Sequence, residues 1–525
     1  MVTNKRTTHA VFSGQQSGQP RLPSIFNRNP AFYTPVNLEP VQTTTPEANS
    51  TRMNTTAIIG GGFSGTLASV NLVRFAKKQQ RVVIVNSGRP FGRGTAYGTT
   101  RPEHLLNVAA RNMSAFPDHP DHFFHWLRSR CEFDSVPDAE LRETFVPRQI
   151  YGDYVRGVAT HFLGSHDPRS QVECKVIEDT AVDIEPRGDG GVVLLEKGQP
   201  IEAQNVLLAT GNQPPAGLPG AERLASDSRY VGNPWKNWHE SLPNDDAHIV
   251  VLGTGLTAVD VVVTLRKKGW NGRITAISRN GMLPQRHFRG IQWPSVVPDD
   301  GQHRSLQELS KLIRQDCERL RGVSQNPAIA VDKLRGRTQA FWQNLTIEEK
   351  QRFLKEYAPS WNVIRHRIAG PIHDAITDSL DCGQLTIIPA TIQSLSAEER
   401  TIDVSLIDTS SQPQTVHGDL VINCTGPKAR FSNSGIPLYQ QLFARGLAKP
   451  DDMDMGIAVD SHFAVIDADG QSSAFLHAIG PILKGTLWET VAVPELRAQA
   501  MHVAQAILLQ PPVHIQDFDT IEYCI

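Results

Sequence analysis

The chain has 525 residues, a formal net charge of −2 and 39% apolar residues. It is long enough for more than one core, and it carries no basic excess that would mark a nucleic-acid or membrane-surface binder. Its six cysteines lie far apart with no C-x-x-C pair, which excludes the adjacent dithiol redox motif and gives no zinc-site spacing. No apolar stretch reaches the roughly 20 residues of a membrane helix, and the start lacks the apolar core of a signal peptide, so a cytoplasmic protein is expected.

Residues 1–52 are rich in Ser, Thr, Gln, Asn and Pro and show no periodicity. Such a segment cannot bury enough apolar surface to offset its ordering entropy, so a disordered extension is expected, with Met53 an alternative start. The first strong pattern follows at once. An apolar run from Ala57 to Ile59 enters Gly60, Gly61, Gly62, Phe63, Ser64 and Gly65, and a helical pattern through Leu67, Val70 and Val73 continues it. Strand, tight turn and helix are the setting in which G-x-G-x-x-G binds a dinucleotide. Gly60 permits the turn, Gly62 lets backbone approach a pyrophosphate, Gly65 lets helix pack on strand, and the helix N-terminus offers N–H groups to phosphate.

The next strand, Arg81 to Val85, ends at Asn86, where an acidic residue usually holds a ribose hydroxyl. A second glycine loop, Gly92 to Gly98, precedes the segment His104 to Asp118, whose alternating polar and apolar groups suit either a site wall or an ordered, self-capping loop. Residues 121–165 read as helical with an aromatic core face. Strand patterns at 172–177, 181–184 and 192–196 lead to a buried strand that ends in Ala209, Thr210 and Gly211.

The opening logic then recurs. A strand from His248 to Leu252 meets Gly253, Gly255 and Ala258, a helix follows, and a further strand ends at Ser278 and Arg279. Arg279 stands where an adenosine 2′-phosphate would need a cation, the alternative being a solvated surface arginine. Residues 301–378 read as helices closing on Arg365, His366 and Arg367, either an anion site or a charged surface. Strands return at 385–407. The run Asp419 to Pro427 repeats the strand-then-Thr-Gly design, which predicts a return to the first domain, and a last helix starts at Pro494.

These segments together resemble the two-dinucleotide-binding flavoproteins, and most of all the bacterial FAD/NAD(P)-binding proteins. The shared runs are GxGFSG, HLLNV-x-A-x-x-MSAFPD, LATGN, GTGLTAVD, SR-x-G-x-LP, INCTGP and LWE-x-x-AVPELR, between residue 58 and about 500. More distantly the chain is similar to class B flavin monooxygenases, including the N-hydroxylating ones. The resemblance implies an α/β chain: an FAD-binding Rossmann-like domain at 53–245 and 380–525, and an inserted NAD(P)-binding Rossmann-like domain with a helical segment at 246–379. It implies FAD on Gly60, Gly61, Gly62, Phe63, Ser64 and Gly65, with Asn86, Gly211 and Gly480 near it. NADPH or NADH would lie on Gly253, Gly255 and Ala258, with Ser278 and Arg279 toward a 2′-phosphate, and Trp488 and Glu489 would approach the flavin ring. Two positions depart from the pattern: Asn86 replaces the ribose-binding acid, and Pro481 follows Gly480 where many FAD proteins have Asp.

The leading expectation is an FAD-dependent, NAD(P)H-using monooxygenase that hydroxylates a small metabolite, an amine nitrogen being one such target. The alternatives are an NAD(P)H-dependent flavin oxidoreductase that passes electrons to an acceptor without oxygen insertion, and a non-catalytic flavin-binding regulator. A second dinucleotide fingerprint weighs against the regulator, because a structural flavin needs no hydride donor. A neutral amide beside a flavin can hydrogen-bond reduced oxygen without repelling it; Asn107 is the candidate and Asn112 the reserve. No metal site is expected, the partner is a small-molecule substrate, and self-association into a homo-oligomer is left open.

Overall fold

The computed structural model describes residues 53–88, 90–164 and 171–509. The extension expected at 1–52 lies outside the described residues. Valine- and isoleucine-rich runs make the first strands, β1 (Asn54–Ile59) and β2 (Gln80–Asn86), each buried along nearly its whole length. Such runs belong to parallel strands covered on both faces. β3 (Val172–Glu178) pairs in parallel with β2. A separate three-stranded antiparallel sheet follows, made of β4 (Ala181–Arg187), β5 (Gly190–Leu195) and β6 (Ile201–Ala203). β7 (Asn205–Leu208) then lies beside β1, on the side away from β2.

The second sheet has the same centre. β8 (Tyr230–Val231), β9 (His248–Leu252) and β10 (Arg273–Ser278) are joined by β11 (Leu385–Ala397), β12 (Ile402–Asp408), β13 (Pro413–Gly418) and β14 (Leu420–Asn423), in the order β13-β12-β11-β10-β9-β14-β8. The expected boundary at residue 380 is therefore corrected. β11 extends the second sheet from β10, and β14 pairs with β9 just as β7 pairs with β1. The repeated strand-then-Thr-Gly design marks each domain's own copy of one element rather than a return to the first domain.

The return comes with β15 (Ala464–Ile466) and β16 (Ser472–Ala478), which complete the first sheet in the order β15-β16-β7-β1-β2-β3. The last helix, Val493–Ile507, packs beside the fingerprint helix Phe63–Phe75 in the same core. Between β10 and β11 stand the expected helices, including Leu306–Gly322, Thr338–Asn344, Ala358–Arg365 and Gly370–Asp381. Ser305 and Thr346 start two of them with capping boxes to Glu308 and Glu349.

Two polar contacts tie the sheets' surroundings together. Arg148 forks onto Asp260 of the helix Leu256–Lys267 at 2.6 and 3.1 Å, and His104 Nε2 meets Thr264 Oγ1 at 2.9 Å. Both partners of the Arg148–Asp260 pair are mostly buried, so the low dielectric makes it costly to break. Among the described residues no helix is long and apolar enough to cross a membrane.

Candidate functional site: two glycine cradles and the cavity beside them

The glycines of the two turns fall into different classes. Gly60 and Gly253 both have φ +115°, and a Cβ on them would lie 2.3 Å from Ala209 O and 2.5 Å from Cys424 O. A Cβ on Gly65 would lie 1.9 Å from Gly60 O, and one on Gly61 would lie 2.6 Å from Asn86 Oδ1. These four are glycine because the chain itself has no room or no other conformation.

Gly62 and Gly255 are different. Their backbones are ordinary extended ones, φ −79°, ψ −164° and φ −80°, ψ −168°. A Cβ on Gly62 would meet nothing closer than Gly94 Cα at 3.5 Å, and one on Gly255 would meet nothing within 4 Å. Neither conformation nor packing within the protein asks for glycine there. Each is the N-cap of a helix with no side-chain cap and no acid in its first turn, so its free N–H groups face open space. That is the room and the polarity a pyrophosphate requires, and the residues of each cradle fit a dinucleotide such as FAD or NAD(P)H.

The neighbouring residues complete each cradle. Gly92 N–H donates to Gly61 O at 2.9 Å, which lays the second glycine loop on the first turn. Phe63 packs its ring against Tyr97 and Tyr151. Gly480, at φ +90°, presses on Ser64, its N–H donating to Gln499 Oε1 and its carbonyl accepting from Thr490 Oγ1. Gly211, at φ +73°, ends the strand that covers Gly60, while Ala258 is buried in the second helix. Ser278 shares a 2.8 Å hydrogen bond with Thr254, and Arg279 beside it is exposed and makes no ion pair among the described residues.

Asn86 is buried at the end of β2, and its Nδ2 donates to Glu178 Oε1 at 2.8 Å. Glu178 is the residue in register with it at the end of β3. The carboxylate that β2 lacks therefore stands one strand over. Sequence reading missed it, because the signal is a cross-strand register and not a local motif.

A cavity of ≈ 210 Å³ opens where the His104–Asp118 segment meets the loop after β10, the helical segment and the approach to the last helix. Asn107 and Asn112 both line it. Asn112 is 3% exposed and its amide makes no hydrogen bond among the described residues, so its polar atoms are available to a ligand. Asn107 serves the wall through its main chain: its carbonyl accepts from His287 Nε2 at 2.8 Å. A carbonyl only accepts, so that nitrogen carries the proton. Burial holds the ring's pKa down to about 4, leaving His287 neutral with its lone pair on Nδ1, an atom that is buried and unpartnered.

The pair Trp488 and Glu489 is divided. Trp488 stacks on Trp342 at 5.1 Å in the core of the helical segment, held in a γ-turn at φ +59° with Glu489 N–H donating to Leu487 O at 2.8 Å. Glu489 lines the cavity. Burial would raise its pKa, but Arg365 at 3.3 Å, with His366, Arg335 and the Trp361 N–H, outweighs burial and keeps it a carboxylate. The Arg365–His366–Arg367 cluster divides in the same way: Arg365 and His366 face the cavity, whereas Arg367 is buried on Asp332 with Phe288 against its guanidinium.

Together these elements make two sheets, each with a glycine turn at a helix start, and a partly open cavity lined by both polar and apolar groups. The family model described as FAD-NAD(P)-binding matches residues 57–213. No curated protein sequence matches the chain. Among solved structures, the ornithine N-hydroxylase of Kutzneria sp. 744 is similar at 13% identity and TM-score 0.60, covering 87% of this chain and 99% of that one. The ornithine hydroxylase of Pseudomonas aeruginosa is similar at 15% identity and TM-score 0.60, with 87% and 99% covered. The FAD-bound cadaverine monooxygenase of Erwinia amylovora is similar at 14% identity and TM-score 0.58, with 89% and 98% covered. At these identities the likeness establishes the shared fold.

Proposed function

We propose that the protein is an FAD- and NADPH-dependent monooxygenase that hydroxylates the nitrogen of a small amine. The observation that carries this reading is a partly open cavity walled by the buried Asn112, whose amide makes no hydrogen bond among the described residues, in a chain with two open glycine cradles. The similarity of the fold to ornithine and cadaverine hydroxylases supports it. Among the described residues no cysteine lines the cavity, so its walls offer no dithiol.

In the first cradle Gly62 and the uncapped helix start would hold the FAD pyrophosphate, and the Glu178 carboxylate held by Asn86 would accept from the adenosine ribose. In the second, Gly255 would receive the NADPH pyrophosphate and Arg279 its 2′-phosphate. FAD, once reduced by NADPH, supplies activated oxygen, and the balanced reaction is R–NH2 + O2 + NADPH + H⁺ giving R–NHOH + NADP⁺ + H2O. The chain's own part is to exclude water and to orient. Asn112 offers a neutral donor that neither repels reduced oxygen nor protonates it. His287, neutral and fixed as the Nε2–H tautomer, adds no charge that would repel an amine at neutral pH. Glu489, fixed by Arg365, keeps its charge without being able to swing.

The test is turnover of the FAD-loaded protein with NADPH, oxygen and a panel of small primary amines. Hydroxylamine product in step with NADPH oxidation is expected, and Asn112→Ala should divert most of the reducing equivalents to hydrogen peroxide. Stoichiometric peroxide from the unaltered protein with every amine would overturn the reading in favour of electron transfer.

A further inference from the structure

The cavity is not electrically neutral. Four guanidiniums face it: Arg111, Arg289, Arg335 and Arg365. Three have their own carboxylates. Arg111 pairs with Glu143, Arg335 forks onto Glu495 at 2.8 and 3.1 Å, and Arg365 meets Glu489. Arg289 has no acid, no hydrogen bond and no ring over it among the described residues. Its sequence neighbours are engaged, Arg286 on Asp374, His287 on Asn107 O and Phe288 against Arg367 before it, and Trp293 Nε1 on Asp316 at 3.0 Å after it, so the loop that carries it is held on both sides. The nearby His287 is neutral and cannot compensate or add charge. One uncompensated positive charge therefore stands at the wall of the cavity.

That charge decides between substrates. A guanidinium fork is complementary to a carboxylate and unfavourable to an ammonium. It also lowers the pKa of a nearby amine, favouring the neutral form whose lone pair can react. Building on the proposed N-hydroxylation, we propose that the substrate is an amino acid type molecule with a carboxylate and a separate amine, and that Arg289 anchors the carboxylate. A diamine without that group has nothing to pair with Arg289 and brings a second cation into a wall that is already positive.

The experiment compares ornithine and lysine with putrescine and cadaverine, the same chains without the carboxylate, on the FAD-loaded full chain and its Arg289→Gln variant. Binding is read by calorimetry and turnover by hydroxylamine formation and the KM for each amine. The unaltered protein should prefer the carboxylate-bearing member by about ten- to a hundredfold, the range of a charge-assisted pair. Arg289→Gln should bring that ratio close to one, with the KM for NADPH unchanged. An unaltered ratio in the variant, or no binding of either amino acid to the unaltered protein, overturns the inference. A raised KM for NADPH with the ratio intact also overturns it and assigns Arg289 to the dinucleotide. If carboxylate binding depends on Arg289 yet no amine is hydroxylated, the anchor stands and the N-hydroxylase reading falls.

Discussion

The two glycine turns share one design and differ in what surrounds it. In both, the first glycine sits at φ +115° under a strand that ends in Thr-Gly, and the second leaves open space at a helix start. They part at the sixth position of the turn and at the end of the following strand. Gly65 brings its helix within touching distance of the turn, whereas Ala258 carries a side chain and stands off. β2 ends with Asn86 holding a carboxylate, whereas β10 ends with Ser278, followed by Arg279, which has no ion pair among the described residues. A carboxylate suits an unmodified ribose and repels a phosphate; a free guanidinium does the reverse. This difference, and not the glycines by themselves, is what would assign a dinucleotide to each cradle.

The largest effect separates glycines needed by the fold from those kept for a ligand. Gly65→Ala drives a methyl into Gly60 O and should destabilise the protein by about 3 kcal/mol or more, seen as lost soluble yield or a much lower Tm. Gly62→Leu should leave apoprotein stability within about 0.5 kcal/mol of the unaltered chain, because its Cβ meets nothing closer than Gly94 Cα at 3.5 Å. Its FAD content should nevertheless collapse. Equal damage from both substitutions, by thermal melting and bound-flavin assay, would erase the distinction.

A smaller effect sharpens the charge difference at the second cradle. Arg279→Ala should reduce the preference for NADPH over NADH by about ten- to a hundredfold, the loss of one charge-assisted contact. An unchanged ratio of kcat/KM values would return Arg279 to the solvent. The smallest expected change is at the first cradle. Glu178→Gln keeps the shape and removes the charge, and should weaken FAD binding by about fivefold, close to 1 kcal/mol. FAD fluorescence titration measures it, and no change would remove Glu178 from the adenosine site.

Much of this was legible in the sequence because strand, turn and helix are contiguous. Both fingerprints, the helical segment after β10 and the wall formed by Asn107 and Asn112 follow from local pattern. What was not legible depends on pairing between distant segments. Asp419 to Pro427 reads like the end of β7, and only the pairing of β14 with β9 shows that it serves the second sheet. Glu178 becomes a partner of Asn86 through register alone. Trp488 and Glu489 are adjacent, yet the γ-turn between Leu487 and Glu489 sends one into the helical core and leaves the other on the cavity. Arg289 is one arginine among many in the sequence, and its importance lies in lacking an acid among the described residues when its cavity neighbours each have one.

We propose that one chain holds two different dinucleotides in two differently charged cradles and passes hydride from one to the other. Anaerobic titration of the purified, FAD-loaded protein with NADPH, followed by the flavin absorbance near 450 nm (a property of any oxidised flavin), tests it most directly. The account predicts full bleaching at about one equivalent of NADPH, much slower bleaching with NADH, and failure of NADPH to bleach flavin in a Gly255→Leu variant that still holds its FAD. Flavin that stays oxidised under excess NADPH, or a Gly255→Leu variant reduced as fast as the unaltered protein, would contradict it.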